Sequence, residues 1–211
     1  MEDLTKIHRA PYKENTDPEV AKKIISLAKI CHVAISVKGQ PFSIPVACAP
    51  YGEEILLHGS KASRLFKALA SGSQACLTIT HLDALVLARS SFESSMHYRS
   101  LMAFGTAREL EGDEKLAALD LLTEHLFPQR TCELRKSTTQ EIAATTILAF
   151  PLNQISVKVS AGEPDDVKED LSSDVWAGFV PIQTTYGEPI AAANLRSGIP
   201  VPDYIATWVA G

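Results

Sequence analysis

The run from His58 to Arg64, HGSKASR, joins the end of a predicted strand to the start of a predicted helix. The free N–H groups and the positive end of the helix dipole at such a start suit a phosphate group. Lys61 and Arg64 add positive charge, and Ser60 and Ser63 carry hydroxyls that can donate hydrogen bonds. The pattern predicts a phosphate site, with an ordinary serine-capped helix and solvated cations as the alternative.

His58 and Gly59 begin this run. Imidazole titrates near neutral pH, so His58 is a candidate catalytic acid or base. Its alternative roles are contact with a cofactor, or a hydrogen bond to the backbone that holds the turn between strand and helix. Gly59 allows that turn to be tight.

Polar and aromatic residues also cluster where an apolar strand begins, between Ser94 and Gly105. Side chains alternate along a strand, so Tyr98 and Ser100 share one side and Arg99 takes the other. A Tyr/Ser face suits a planar polar ligand. The alternative is a strand edge whose polar side faces solvent.

A third candidate is Trp176, which stands beside small residues in the run from Val175 to Pro181. This pattern predicts either the aromatic wall of a pocket or a plain core tryptophan.

The elements that position these residues follow from periodicity and turn signals. Asp17-Pro18 predicts the start of a helix over 18–29. Later helices are expected over about 60–71, from 113, and over 137–144. Strands are expected at 32–38, 42–49, 53–58, 74–81, 84–89 and about 98–110, with more strand between 145 and 160.

Tight connections between the early strands predict an antiparallel meander, with a turn at Gly39-Gln40-Pro41. The whole chain, 1–211, is expected to form a single domain: a mainly β, small antiparallel barrel with peripheral helices. Residues 1–16 are expected to form an extended arm, 161–174 an acidic surface segment, and 191–211 an irregular tail.

Composition excludes several classes of protein. The 20 Lys and Arg against 25 Asp and Glu give a net charge of −5, so binding to nucleic acid is not expected. No apolar run is long enough to span a bilayer, and the polar first thirteen residues lack the features of a secretory signal. A cytoplasmic protein without membrane attachment is therefore expected.

Neither the cysteines nor the histidines indicate a metal site. The four cysteines form no CxxC pair and are expected to be buried reduced thiols, with disulfides or a zinc site as alternatives. The six histidines include no pair at metal-ligand helical spacing. GxGxxG, Walker, HExxH and GxSxG motifs are all absent, which disfavours a P-loop NTPase, a zincin or an α/β-hydrolase.

Four segments, taken in order, resemble one known family. They are HGS at 58–60, LARSSF at 87–92, SMHYRS at 95–100 followed by FG at 104–105, and WAGFVP at 176–181. Together they resemble the pyridoxamine 5′-phosphate oxidase-related flavin-nucleotide-binding proteins, in the branch that includes nitroimidazole-resistance-type proteins. The stretch from Ala88 to Ser100 is the most specific part.

The resemblance implies an FMN-binding split barrel of antiparallel Greek-key strands, working as a homodimer with FMN in clefts between the subunits. It implies that Ser63 and Arg64 hold the FMN phosphate, and that Ser100 reaches the flavin. It also implies that a tryptophan segment approaches the flavin from the partner subunit. The implied cofactor contacts are Ser43, Ile44, Pro45 and Val46, whose strand backbone flanks the ring, with His58, Gly59, Ser60, Ser63, Arg64, Tyr98, Arg99, Ser100 and Trp176.

The chain also departs from the family pattern. His97 stands where the branch usually has Asn, and Val159-Ser160 follow Lys158 where the branch often reads K-x-R. The Arg-His-Asp-Arg segment with which pyridoxamine phosphate oxidases hold their substrate is replaced by NLRSGIP at 194–200. These differences argue against pyridoxamine phosphate as the substrate.

The leading hypothesis is an FMN-dependent oxidoreductase acting on a small planar substrate, with nitro-compound reduction suggested by the family branch. A second hypothesis is a flavin-binding carrier, scavenger or sensor that does not turn over. A third is a haem-binding split barrel, in which His58 or His97 would be the axial ligand.

Overall fold

The computed structural model describes residues 4–209 of the chain, which contain nine strands and five helices. The helices are α1 (Pro18–Leu27), α2 (Arg64–Ala70), α3 (Gly112–Leu126), α4 (Thr139–Ala144) and α5 (Asp203–Val209). The strands are β1 (Ile30–Val37), β2 (Gln40–Tyr51), β3 (Glu54–Ser60), β4 (Ala75–Leu87), β5 (Ser95–Gly105), β6 (Arg108–Glu109), β7 (Thr145–Pro151), β8 (Ile155–Ser160) and β9 (Gly178–Pro181). Short 3₁₀ turns lie at Pro11–Lys13, Thr131–Glu133 and Lys168–Ser172.

The strands form a curled, barrel-like sheet in the order β6-β7-β3-β2-β1-β4-β5-β8, with β9 added alongside β4. Every pairing is antiparallel. The first four strands lie in the order 3-2-1-4, which is the Greek-key arrangement. The predicted fold class, a mainly β antiparallel barrel with peripheral helices, is therefore confirmed.

Local signals in the sequence explain how the first elements begin and end. Asp17 Oδ1 accepts a hydrogen bond from Glu19 N at 2.9 Å, so α1 has the predicted cap. The β1–β2 turn consists of Lys38 and Gly39, with φ angles of 52° and 80°. Two positive φ angles are typical of the type I′ hairpin turn, which places this turn slightly earlier than predicted.

Some predictions about strand boundaries and the tail are wrong. The strands expected at 74–81 and 84–89 are one strand, β4, because a bulge between Leu82 and Ala84 absorbs Asp83 without breaking the pairing with β5. The strand expected over 98–110 ends at Gly105, and Arg108–Glu109 pairs with β7 instead. The tail from 191 is not irregular throughout, since it contains α5.

The core lies on the inner face of the sheet, beneath α1 and α2. Its largest fully buried members include Phe150, Leu57, Leu77 and Leu101. A second, smaller cluster packs α3 against the other face, at the β3–β7 end, through Leu56, Leu110, Ala118, Leu122 and Ile147. The inner face of the sheet is therefore covered by α1 and α2, whereas α3 covers the other face only at the β3–β7 end.

The cysteines follow the prediction in part. Cys31 and Cys48 are buried in the core, where a hydrogen bond with the Cys48 thiol and burial raise the pKa of Cys31. Cys76 is half-buried, and Cys132, expected to be buried, is exposed in the 3₁₀ turn after α3. All four are free thiols.

Candidate functional site

One side of the sheet is left open beyond α3, and we call it the outward face. Cross-strand pairs define it: Ala47 with His58, Pro45 with His32, His32 with Thr78, and Thr80 with Ser100. Residues that pair directly point to the same side, so these side chains share a face opposite the core. Of the predicted site residues, six lie on this face: Ser43, Pro45, His58, Ser60, Tyr98 and Ser100.

The beginning of β2 provides the first group of predicted residues. Ser43 and Pro45 are exposed on the outward face, whereas Ile44 is half-buried and packs against the core. Val46 is 6% exposed and belongs to the core itself. Ser43 and Pro45 thus present side chains to a ligand, while Ile44 and Val46 offer only backbone atoms.

The β3–α2 connection lies beside this group. The helix starts at Arg64, later than predicted, and Ser63 caps it without a side-chain hydrogen bond. Ser60 Oγ accepts a hydrogen bond from Ala62 N at 3.2 Å. The Arg64 guanidinium lies 4.6 Å from the centre of the Phe42 ring, so α2 begins next to the start of β2.

His58 is half-buried on the outward face, at the edge of the area that α3 covers. Burial lowers the pKa of its imidazole, which favours the neutral ring. Within residues 4–209 the ring has no hydrogen-bond partner, so the proposed bond to the turn backbone is absent. A neutral, unbonded imidazole on an open face is available to a ligand.

The second group lies on β5 and β8. Tyr98 pairs with Ser160, and Ser100 pairs with Lys158. Lys13, from the N-terminal arm, donates a hydrogen bond from Nζ to Ser160 Oγ at 3.0 Å and lies 5.8 Å from the centre of the Tyr98 ring. This side of the face therefore combines hydroxyls with two ammonium groups.

The arm is held in place by the edge of β8. Asn15 N donates to Val157 O at 3.0 Å, and Lys158 Nζ donates to Arg9 O at 3.2 Å. Sequence reasoning missed Lys13 and Lys158 as site residues. Lys13 is 147 positions from Ser160, and no local pattern in the arm indicates that pairing.

Arg99 points away from Tyr98 and Ser100, as the strand alternation predicts. Its Nε and Nη2 donate to the two carboxylate oxygens of Asp83 at 2.9 and 2.7 Å. The hydrogen bond to Arg99 lowers the pKa of the Asp83 carboxyl. The pair holds Asp83, the extra residue of the β4 bulge, in place. Arg99 therefore lies off the outward face, unlike Tyr98 and Ser100.

Trp176 lies at the far end of the β4–β5 hairpin and is 66% exposed, so it is not a core residue. Its indole covers Gly178: a Cβ added there would be 2.9 Å from Trp176 Cη2. Exposed apolar side chains on β4, β5 and β9 continue the patch, namely Leu85, Leu87, Met96 and Val180. We call this patch the apolar tongue.

An ion pair fastens the loop that leads to Trp176. Asp166 accepts hydrogen bonds from Arg89 N and Arg89 Nη1, both at 2.7 Å, and its side chain is 2% exposed. Arg89 Nε is also buried and lacks a partner within residues 4–209. The acidic segment is therefore anchored to the end of β4.

One chain does not bring the two polar groups together. Strands in a sheet lie about 4.8 Å apart, so β2 and β5, with β1 and β4 between them, are separated by roughly 14 Å. Ser43, His58 and Arg64 lie near β2 and β3, and Tyr98 and Ser100 lie on β5, across the width of the sheet. A ligand that contacts both groups closely needs a second surface opposite the outward face.

The described part of the chain shows neither a metal cluster nor a membrane span. No group of three or more His, Cys, Asp or Glu side chains among residues 4–209 is arranged to hold a metal ion. No helix in the same range has the length and apolar character needed to cross a membrane.

Comparison with known proteins places this fold in a family. The sequence profile of the pyridoxamine 5′-phosphate oxidase family matches residues 17–159, about two thirds of the chain. The chain therefore belongs to that family. No curated protein matches it in sequence.

Two solved structures are similar over almost their whole length. The FAD- and haem-binding protein from Mycobacterium smegmatis is 40% identical, with 93% of this chain and 97% of that chain covered and a TM-score of 0.90. The flavocytochrome Anf3 from Azotobacter vinelandii is 32% identical, with 98% and 96% covered and a TM-score of 0.91.

A third structure shares the fold at lower similarity. It is a candidate 5-nitroimidazole antibiotic resistance protein from Bacteroides thetaiotaomicron. It is 23% identical, covers 69% of this chain and 86% of its own, and has a TM-score of 0.60. The profile match over residues 17–159 confirms the predicted resemblance to the oxidase-related family.

Proposed function

We propose that this protein is a flavin-dependent redox protein whose flavin lies on the outward face. The main support is the combination of hydroxyls and cations on an uncovered sheet face, in a chain that is 40% identical to an FAD- and haem-binding protein. Tyr98, Ser100 and Ser160 offer hydroxyls, and Lys13 and Lys158 offer positive charge. This donor set fits a planar polar ring that carries an anionic tail.

The nucleotide form of the flavin is the first detail to establish. The family resemblance implies FMN, whereas the Mycobacterium smegmatis relative is named for FAD. Both share the flavin ring and a phosphate, so Ser63 and Arg64 serve as anion contacts in either case. When bound, a flavin accepts and donates hydride or single electrons, and the chain's own residues bind it, orient it and limit its contact with water.

We further propose a homodimer with the flavin between the two copies. The strand spacing separates the two polar groups of one chain by roughly 14 Å. If a second copy lies across the outward face, its own polar groups bridge this distance. Tyr98 and Ser100 of one copy would then stand opposite Ser43 and Arg64 of the other. The exposed apolar tongue would be covered in the same assembly, which removes a patch that is costly to leave in water.

A direct experiment tests the flavin proposal. Purified protein should be yellow, and extraction followed by chromatography and mass spectrometry identifies FMN or FAD. Anaerobic bleaching by NADH or NADPH, followed by reoxidation with a nitroaromatic compound, supports an oxidoreductase. Bound flavin that neither nucleotide reduces supports the carrier or sensor alternative, and failure to retain any flavin contradicts the proposal.

Haem binding is a second candidate function, alongside the flavin. It is favoured by His58, whose neutral imidazole is unbonded on the outward face, and by the naming of two relatives for haem or as a flavocytochrome. His97 fits an axial ligand less well, because it lies on the opposite side of β5 with its ring 5.2 Å from that of Phe179. Haem would supply a one-electron centre that His58 holds.

Hemin titration distinguishes these histidines. We expect the haem complex to show a Soret band whose position and intensity change in His58→Ala and stay unchanged in His97→Ala. Electron paramagnetic resonance of the ferric form reports the axial ligand directly. Identical spectra for wild type and His58→Ala would exclude His58 as the ligand, and a protein that takes up no hemin would exclude the haem function.

A further inference from the structure

A cleft of about 770 Å³ lies between the C-terminal end of α1, the bulge of β4 and the segment after β9. Leu27, Leu82, Ile182 and Tyr186 give it apolar walls, and each of these side chains is more than a third exposed. The cleft is therefore large enough for a small organic molecule and partly apolar, as ligand sites usually are.

Two basic residues, Lys29 and Arg99, line this cleft. Lys29 Nζ donates one hydrogen bond, to His125 O, and two of its three donor positions remain. Burial lowers the pKa of the Lys29 ammonium, and Lys29 forms no ion pair with a carboxylate of residues 4–209. The Arg99–Asp83 pair uses Nε and Nη2 of Arg99, so Nη1 has no partner within residues 4–209.

The other titratable groups of the cleft do not neutralise this charge. Asp83 is the one carboxylate among the lining residues, and both of its oxygens are engaged by Arg99. His81 Nε2 lies 2.9 Å from Ile24 O, and a carbonyl only accepts, so Nε2 carries the proton. The lining charges of Lys29, Arg99 and Asp83 sum to about +1.

A short segment after β9 forms the outer wall. Ile182 N donates to Asp83 O at 2.8 Å, and Tyr186 packs against Trp208 of α5 with ring centres 6.1 Å apart. The helix is itself tied down, because Tyr204 Oη donates to Glu133 at 2.8 Å. The wall is thus a built part of the structure.

From these contacts we infer that the cleft binds a small organic anion, a carboxylate on an apolar body, between Lys29 and Arg99. The site adjoins the outward face, since Thr80 and Leu82 line it and pair with Ser100 and Tyr98. It does not depend on the flavin proposal, because contacts within one copy of the chain hold Lys29, Arg99 and the outer wall in place without a flavin.

Phenylacetate is a suitable probe, with phenylacetamide as its neutral analogue of similar shape. Isothermal titration on the full-length purified protein should give binding of phenylacetate and at least about tenfold weaker binding of the amide. Lys29→Gln should weaken phenylacetate by about tenfold or more and leave the amide unchanged. Lys23→Gln, an exposed change on the same side of the fold, in α1, is the matched control and should behave as wild type.

Three results of these titrations would contradict the proposed anion site. Equal binding of acid and amide, no binding of either, or equal loss in both lysine variants would each overturn the inference. Thermal unfolding of each variant verifies that it is folded. Running the titration with and without bound flavin keeps this result distinct from the flavin test, since a protein that binds phenylacetate but no flavin supports this site alone.

Discussion

The ring of Phe66 occupies the space where a side chain at Gly59 would have to be. A Cβ built on Gly59 would lie 2.7 Å from both Cδ2 and Cζ of Phe66, closer than non-bonded carbon atoms come. Because Phe66 is 4% exposed and packs in the core, its ring cannot simply move aside. The contact sets how closely α2 approaches β3, and so where Arg64 begins the helix.

Gly59→Ala is therefore expected to destabilise the protein. Overpacking of a close contact costs about 1–3 kcal/mol, and the shift of α2 should also weaken flavin binding. Urea unfolding measures the change in the free energy of unfolding. Gly187→Ala is the control, because a Cβ at that position would meet no atom within 4 Å and the stability should not change. Equal stability of the two variants would contradict the role of the Phe66 contact.

Arg64→Ala is expected to weaken flavin binding by about ten- to a hundredfold, through loss of a charge-assisted phosphate contact. Fluorescence titration of apo-protein with FMN and FAD gives the dissociation constants. Lys23→Ala, on α1, removes another exposed charge and should have no effect. If riboflavin, which lacks the phosphate, loses as much affinity as FMN, Arg64 acts on the ring and not on the phosphate.

Stability is expected to fall as the pH is lowered from about 7 to 5. Burial lowers the pKa of His58 and of His125 below 6.5 in the folded protein, so the unfolded chain binds protons first as the pH falls. The contribution of the two neutral histidines to the free energy of unfolding is complete above the pKa of histidine in the unfolded chain. It is lost as the pH falls below that pKa towards the lower pKa of the folded protein. Chemical unfolding across this range should show a shallower decline in His58→Gln.

The exposed His8 is the control for that experiment. His8→Gln should keep the wild-type pH dependence. A His58→Gln protein with the wild-type decline would mean that the burial of His58 does not contribute.

Asp166→Ala is expected to cost about 3 kcal/mol or more, because it leaves the largely buried guanidinium of Arg89 without its carboxylate. Thermal unfolding gives the change. Glu19→Ala removes an exposed partner of Lys22 and should leave the unfolding midpoint unchanged. Protease cleavage within 161–174 should rise in Asp166→Ala, and unchanged resistance would mean that the ion pair does not anchor the segment.

A charge in the middle of the outward face is expected to separate the proposed dimer. Thr78→Glu places a carboxylate between His32 and Met102, where a second copy would have to desolvate it. Analytical ultracentrifugation should show monomer, with loss of flavin. Ala117→Glu, on the exposed side of α3, should remain dimeric. A monomeric wild type that still binds flavin would refute the two-copy site.

Alternation along single strands accounts for the part of the site that sequence could predict. Tyr98 and Ser100 lie on one side and Arg99 on the other, as the period of two requires. The meander and the helix start at Asp17-Pro18 likewise depend on neighbours in sequence. These features are local, and local signals are what a sequence pattern contains.

The remaining features depend on contacts between distant residues. The pairing of Lys13 with Ser160, and the shielding of Leu56 by α3, have no local signature. The bulge at Asp83 interrupts the alternation for one residue, and that interruption looks the same as a turn when the partner strand is unknown. Whether His58 is bonded or free also depends on which elements pack around it.

The way the strand accommodates Asp83 also determines which side of the hairpin end meets solvent. Because the bulge absorbs Asp83, Ala84 and Val86 point inward and Leu85 and Leu87 point outward. If Asp83 instead took an ordinary position in the ladder, the alternation of β4 would shift by one residue, and Leu85 and Leu87 would turn inward. Deletion of Asp83 should therefore be tolerated, whereas an inserted residue that the bulge cannot absorb would exchange the buried and exposed sides of the hairpin end.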